Sequence, residues 1–304
     1  SLAITGLLYL VLARDQYLGS TKKPECDDMR HLAWVSYGIA FLGFGLMTQS
    51  DVLMMSFFEV NSEDIGLYHL ATGLTGTMVF LLAGVAPMAL SLFSEAFEKD
   101  GVEGLGSLYC KIVGLSSYLT VPIYVFCLFN ADILISFIYG PVFKEASLAL
   151  IIFSAFSGIQ TALGNNFSVS TLYVIHKRNV AIRTTVEGSI LNIGLNLFLI
   201  PAAGMLGAVT ATGITMVYMI LRQLKIISTE MKIAPVFPVI GQCFLYCLLA
   251  SIPTLILTWV HLGHLITNLI LYLATLVTIL IWVKPFSHLE SILNQSSSFP
   301  RATK

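Results

Sequence analysis

The sequence predicts an all-α protein, a polytopic bundle of transmembrane helices, and three observations carry that reading. The chain is 56% hydrophobic with only 11% charged residues, and its mean hydropathy is +0.84. Its apolar runs repeatedly reach the ~20 residues that a helix needs to cross ~30 Å of hydrocarbon. The sixteen Lys and Arg residues also fall almost wholly in alternate gaps between those runs. Arg14, Lys22, Lys23 and Arg30 share one side with Lys99, Lys111, Lys177, Arg178, Arg183, Arg222, Lys225, Lys232, Lys284, Arg301 and Lys304, whereas the other side holds Lys144 alone. Short basic loops stay in the cytoplasm, so the pattern orients every span.

Taken in order, the run from Leu2 to Ala13 is too short to span and has no cationic leader region. It predicts the end of a helix that begins upstream, over residues 1–13. A cytoplasmic linker, 14–33, follows. Complete spans are expected at about Trp34–Phe58, Gly66–Phe97, Leu108–Phe129, Ser147–Leu172, Val180–Ile200 and Ala208–Ile227, making a six-helix bundle over 34–227. Val239–Val260 and Leu265–Val283 form a C-terminal hairpin within 228–283, and 284–304 is a cytoplasmic tail. That makes about eight complete spans plus the truncated first one. Pro87, Pro122 and Pro253 lie inside spans, where a missing N–H loosens the helix.

Composition excludes several functions. A formal net charge of −1 leaves no basic face for nucleic acid. The five cysteines are odd in number, and all but Cys26 sit in apolar runs, so neither a disulfide framework nor a zinc site is expected. His261 and His264 flank a turn but are too few to hold a metal. No cofactor motif is present. The outer loops are too brief to carry catalytic groups, which predicts a transporter rather than an enzyme.

Polar residues within spans are costly and mark candidate sites. Asp51, beside Thr48, Gln49 and Ser50, lies about 10 Å below the outer surface at 1.5 Å per residue. It either reaches toward that interface and a neighbouring helix, or binds substrate or a coupling ion from the interior. Arg183 and Glu187, four apart, share a helix face near the cytoplasmic end. They are either a structural pair or an inner vestibule for an anionic headgroup, since a guanidinium grips phosphate with two bonds. Thr185, Ser189, Asn192 and Asn196 fall within roughly 60° of one another on the opposite face. A second stripe joins Ser154, Ser157, Gly158, Thr161, Gly164, Asn165 and Ser168, and a third joins Thr72, Gly73, Gly76, Ala83, Pro87, Ser91 and Ser94. Such stripes serve close helix packing; three in one bundle also suit a hydrated cavity.

The segment from Asn192 through Asn196, Ile200-Pro201, Gly204 and Gly207-Ala208 to Ala211-Thr212 resembles bacterial polysaccharide flippases. These belong to the multidrug/oligosaccharidyl-lipid/polysaccharide exporter superfamily, whose fold is MATE-like. Ser50-Asp51-Val52-Leu53 with Gly66-Leu67-Tyr68, Ala131-Asp132 with Tyr139-Gly140-Pro141, and Gly164-Asn165-Asn166 agree in order, over roughly residues 45–225. The resemblance implies two six-helix bundles and two added C-terminal helices. It implies transfer of an undecaprenyl-diphosphate oligosaccharide from the inner to the outer leaflet of the plasma membrane, with membrane lipid as partner and a proton or sodium ion as possible driver. A small-molecule exporter of the same superfamily is the alternative. Such flippases commonly place cations in the cavity; this chain offers only Arg183 near a span end, which shifts anion binding to the other bundle and counts against lipid II as cargo. Gln49, Asp51, Asn165, Arg183, Glu187, Asn192 and Asn196 are the candidate lining residues.

The basic bias makes one topological prediction. Single cysteines introduced beside Arg30, Lys99, Lys177 and Lys232 should resist a membrane-impermeant thiol reagent applied to intact cells, and ready labelling there would overturn the orientation.

Overall fold

The computed structural model describes residues 49–83, 85–260 and 264–283. The expectations for residues 1–48 and 284–304, and for the side chains of Ala83 and Pro87 and the position of His261, lie outside those residues. Eight α-helices occur among them, with no strand: α1 Ser50–Phe57, α2 Ser62–Ala83, α3 Val85–Ile138, α4 Ala146–Ala162, α5 Asn165–Val174, α6 Arg178–Glu230, α7 Val236–Trp259 and α8 Leu265–Val283. Five stretches are long and apolar enough to cross a membrane, with α4 and α5 counted as one.

Two helices are twice the length of a span, and each is interrupted by a glycine with positive φ. In α6 the interruption is Gly204 at φ 53°. Thr184 faces Gln223 (3.4 Å), Glu187 faces Tyr218 (3.1 Å) and Arg222 (3.3 Å), and Asn192 faces Thr212 (3.0 Å). Each pair is centred close to residue 204, so the two limbs run antiparallel as a hairpin. In α3 the interruption is Gly101 at φ 66°, and the rings of Phe93 and Tyr109, eight residues to either side, lie 6.2 Å apart. These reversals match the loop and the turn expected at those places.

The ends of the helices sort by charge. Phe97 touches the His176 ring, Lys177 pairs with Glu230 at 3.1 Å, and Gly106 abuts Met231. Lys99, Lys177, Arg178 and Lys232 therefore gather at one end of the bundle. Lys144 sits far along the chain from them and pairs with Asp132 at 3.4 Å.

Buried apolar side chains form two separate clusters. One contains Met55, Leu67, Ala71, Ile135, Leu150, Ile200 and Val209. The other contains Phe93, Tyr109, Val113, Phe167, Ile220, Ile227 and Ile240. Along α4 the sequence passes from Phe153 of the first cluster through Ser154, Ser157 and Thr161 to Ala162 of the second. Along the second limb of α6 it passes from Val209 through Thr212 and Thr215 to Ile220. A buried polar layer thus separates two apolar ones. The C-terminal pair α7 and α8 packs on α3, where Asn268 donates to Asn130 (2.8 Å) and Tyr272 to the Pro122 carbonyl (2.9 Å).

One segment departs from the expected straight span. Residues 147–172 do not form a continuous helix: the chain breaks at Gly164, φ 81°, between α4 and α5. A helix broken inside a bilayer must satisfy its freed backbone groups from neighbours. Ser117 donates to the Ala162 carbonyl at 3.0 Å, and the Tyr109 hydroxyl bonds the Leu163 carbonyl (3.5 Å) and the Ser168 hydroxyl (3.0 Å). Gly164 is also squeezed against α3, where an added Cβ would stand 2.6 Å from a Val113 methyl. Gly164→Ala should therefore lower stability by about 1–3 kcal/mol, from strained backbone plus overpacking. Gly73→Ala on α2, where nothing lies within 4 Å, should leave it nearly unchanged. Melting of both variants in detergent checks this, and equal melting temperatures would refute it.

Candidate functional site

A cavity of about 440 Å³ opens at the polar layer, with apolar as well as polar groups on its walls. Gln49 and Asp51 reach it from the start of α1, and Tyr68, His69, Thr72, Thr75 and Gly76 from α2. Tyr124 of α3 closes one wall. Phe153, Ser157, Gln160 and Thr161 line it from α4, Asn165 and Asn166 from the start of α5, and Thr212 and Met216 from α6. Three of the sequence-selected residues, Gln49, Asp51 and Asn165, are thereby brought together. Among the described residues, Asp51 and His69 are the carboxylate and imidazole groups on these walls, and no Lys or Arg lines them.

Asp51 is fully buried. Asn196 donates to its Oδ1 at 2.6 Å and Tyr68 to its Oδ2 at 2.6 Å, while the Thr212 hydroxyl bonds Oδ2 as well. Behind this ring, Asn192 donates to the Thr212 hydroxyl (3.0 Å) and accepts from Ser50 (3.0 Å) and from Asn196 (3.2 Å). Asn192 and Asn196 are themselves completely buried and do not line the cavity. They stand one layer behind it, holding the carboxylate. The helical spacing that aligned them is correct; its consequence is a buried network joining α1, α2 and both limbs of α6. The Asn196 Oδ1 has no hydrogen-bond partner among the described residues.

Arg183 and Glu187 lie elsewhere. Arg183 Nε bonds Glu187 at 2.8 Å, and Glu187 also receives Tyr218 and Arg222 from the opposite limb of α6. Arg183 is largely exposed, its side chain 74% accessible. Two guanidiniums and a phenol converge on one carboxylate at the basic end of the hairpin. No sequence pattern pairs residue 187 with residues 218 and 222, because the pairing depends on the reversal at Gly204.

Tyr68, His69, Gln160, Tyr124 and Thr212 were not among the sequence-selected residues. Tyr68 and Thr212 lie in the motifs quoted above, but only their distance from Asp51 in space gives them a role. Tyr124 sits in an apolar run, and Gln160, although next to Thr161, falls outside the stripe of small and polar residues on its span.

Comparisons with known proteins bear on the family and not on the architecture. Residues 4–148 match the family described as polysaccharide biosynthesis protein. Over 229 residues the chain is 24% identical to the probable low-salt glycan biosynthesis flippase Agl15 of Haloferax volcanii, covering 74% of this chain and 47% of the relative. The chain thus spans about half the length of the curated relative it matches. No solved structure matches it. The resemblance to polysaccharide-biosynthesis flippases therefore rests on both the family and the relative, the latter named a flippase rather than an enzyme. With five helices able to cross a bilayer, the chain is a multi-pass protein of the cell membrane.

The network makes a thermodynamic prediction. Asn196→Ala removes a donor from a buried carboxylate and should destabilise by about 1–3 kcal/mol. In a double-mutant cycle with Asp51→Ala the two losses should be coupled by about 0.5–3 kcal/mol. Additive losses, read from denaturation of the four proteins, would show that the contact carries no energy.

Proposed function

We propose that this chain supplies the second bundle and C-terminal hairpin of a flippase that turns a lipid-linked oligosaccharide from the inner to the outer leaflet. In this reading eight spans are complete, residues 34–227 form a MATE-like bundle, 1–33 close and link a first bundle, and the pair over 228–283 is appended. The observation that supports it best is the cavity of about 440 Å³ with polar groups on its walls, set between two apolar clusters of a membrane protein. A hydroxyl-rich headgroup cannot shed its water into hydrocarbon without losing several kcal/mol per unpaired group. Amides and hydroxyls along the walls replace that water stepwise, while the polyprenyl chain of an undecaprenyl-diphosphate carrier stays in the bilayer. Rocking of one bundle against the other then exposes the cavity to each side in turn.

Asp51 is the natural seat of a coupling cation. It is a buried carboxylate with three neutral donors and no cation beside it among the described residues, and an uncompensated charge is costly in a membrane. The unpartnered Asn196 Oδ1 adds an oxygen of the kind that hard cations favour. A proton or a sodium ion fits this set. The same feature supports the second reading, a cation-coupled exporter of small molecules. Arg183, exposed at the basic end with part of its guanidinium uncommitted, is suited to meet the diphosphate at the inner mouth.

Complementation decides between the readings. The full-length protein should restore surface glycan to cells lacking their own flippase, and failure to do so, with drug efflux instead, would favour the small-molecule reading. Asp51→Asn should lower export at least tenfold without loss of expression, and should abolish its dependence on sodium at fixed pH or on pH at fixed sodium. Export by Asp51→Asn equal to the parent would remove the coupling role. Arg183→Ala should reduce export and Arg183→Lys should restore it only in part, since the two-pronged contact is lost.

A further inference from the structure

The buried amides of this bundle are committed to protein partners. Asn130, Asn192, Asn196 and Asn268 each donate to a neighbouring oxygen, and Thr75 turns back on its own helix. The walls of the cavity at the polar layer behave differently. Gln49 before α1, His69 on α2, Gln160 on α4, and Asn165 and Asn166 at the start of α5 all line it. None of these side chains has a hydrogen-bond partner among the described residues. An amide or imidazole left unpaired within a membrane is costly unless water or a ligand meets it. Their convergence from separate elements on one space marks a surface kept for a ligand.

The chemistry of these groups narrows what that ligand is. A side-chain amide carries both donors and an acceptor, and a neutral imidazole has one of each. A sugar hydroxyl likewise donates and accepts, so it pairs with either end of such groups. An oxyanion only accepts. It would use the N–H half of these side chains and leave their oxygens unpaired. It would also lie in the field of the Asp51 carboxylate on the same walls, with no Lys or Arg among the described lining residues to offset it. Phe153 and Met216 add apolar surface, which suits the C–H faces of a pyranose ring. At about 440 Å³ the space lies toward the lower end of small-ligand sites, which run from about 300 to 1,000 Å³, and it fits a sugar unit rather than a polymer.

We propose that Gln49, His69, Gln160, Asn165 and Asn166 form a subsite that selects an uncharged sugar unit of the cargo and disfavours an acidic one. The inference rests on the flippase reading and adds to it the charge class of the glycan. It also divides the headgroup. The sugar is held at the polar layer, and the anionic diphosphate stays outside this cavity, toward the basic end of the bundle where Arg183 is exposed.

The test is saturation-transfer NMR on the full-length protein in lipid nanodiscs, with glucose, N-acetylglucosamine and glucuronate as probes. The signal that counts is the part reduced by Gln160→Leu or His69→Ala, since sugar bound elsewhere is unaffected by them. Glucose or N-acetylglucosamine should give such a signal, and glucuronate, which differs from glucose by its carboxylate, should give little. Each variant should weaken binding of the effective sugar by about threefold to tenfold, the scale of one neutral hydrogen bond. His69 is exposed, so its replacement retains the fold and decides the matter should Gln160→Leu fail to fold. A glucuronate signal as large as that of the uncharged sugars, or no sugar signal that the variants reduce, would overturn the subsite. Export of glycan by the parent is measured alongside. Export without a variant-sensitive sugar signal sinks the subsite and leaves the flippase reading standing, whereas such a signal without export does the reverse.

Discussion

A carboxylate placed within a bilayer and given no counter-charge among the described residues is held there by neutral donors, and the organisation of this bundle follows from that constraint. Asp51 enters on α1, a short helix of eight residues whose Met55 joins the first apolar cluster. Its oxygens are met by Tyr68 from α2, Asn196 from one limb of α6 and Thr212 from the other. Asn192 then ties Ser50 to Thr212. Three separate elements are thereby registered against one another at the level of two oxygen atoms. Apolar packing between helices in lipid is poorly directional, because lipid tails and leucines are equally apolar. Hydrogen bonds to a buried charge are directional and stronger than neutral ones, so the polar layer sets the register and the two apolar clusters fill in around it.

The break at Gly164 is the second organising feature, and it depends on α3. A helix interrupted in hydrocarbon exposes carbonyls and amides that water cannot reach. Ser117 and Tyr109 approach closely enough to take the carbonyls only because residue 164 lacks a side chain and lets Val113 sit against it. The geometry that permits the break therefore also caps half of it. Asn165 and Asn166, at the start of the helix beyond the break, line the cavity. The same segment carries Ser157 and Thr161 above the break and Asn165 and Asn166 below it, so the interruption turns a packing stripe into a wall with two kinds of polar group.

Much of this was legible in the sequence, for identifiable reasons. Loop charge and apolar run length depend on local composition, and the reversals fall where the basic loop near Lys99 and the turn near Pro201 were expected. The alignment of Asn192 with Asn196 follows from helical period alone, as does the pairing of Arg183 with Glu187. The legible part ends where a partner lies far along the chain. Glu187 gains Arg222 and Tyr218 because the hairpin closes at Gly204, and Asp51 gains Thr212 across 161 positions. Gly164 read as one more small residue in a packing stripe, because a glycine inside an apolar run has the same appearance whether it permits close approach or a positive φ. Asp51 kept two readings for a related reason: depth in the membrane follows from position along a helix, whereas direction follows from neighbours.

The charge content of the cavity has a consequence for transport itself. A site that moves a polar group across a membrane must bind it well enough to replace water and weakly enough to release it on the far side. Amides and hydroxyls such as those of Gln160, Asn165, Asn166 and Thr161 on the cavity walls carry partial charges, and each holds a polar group less tightly than a full charge does. Under the proposed reading, Asp51 would lose its charge when a cation binds and regain it when the cation leaves, so a polar cargo would meet a different field in the two states. Binding of the two would then be linked and reciprocal, which is what coupling of a cation gradient to the cargo requires.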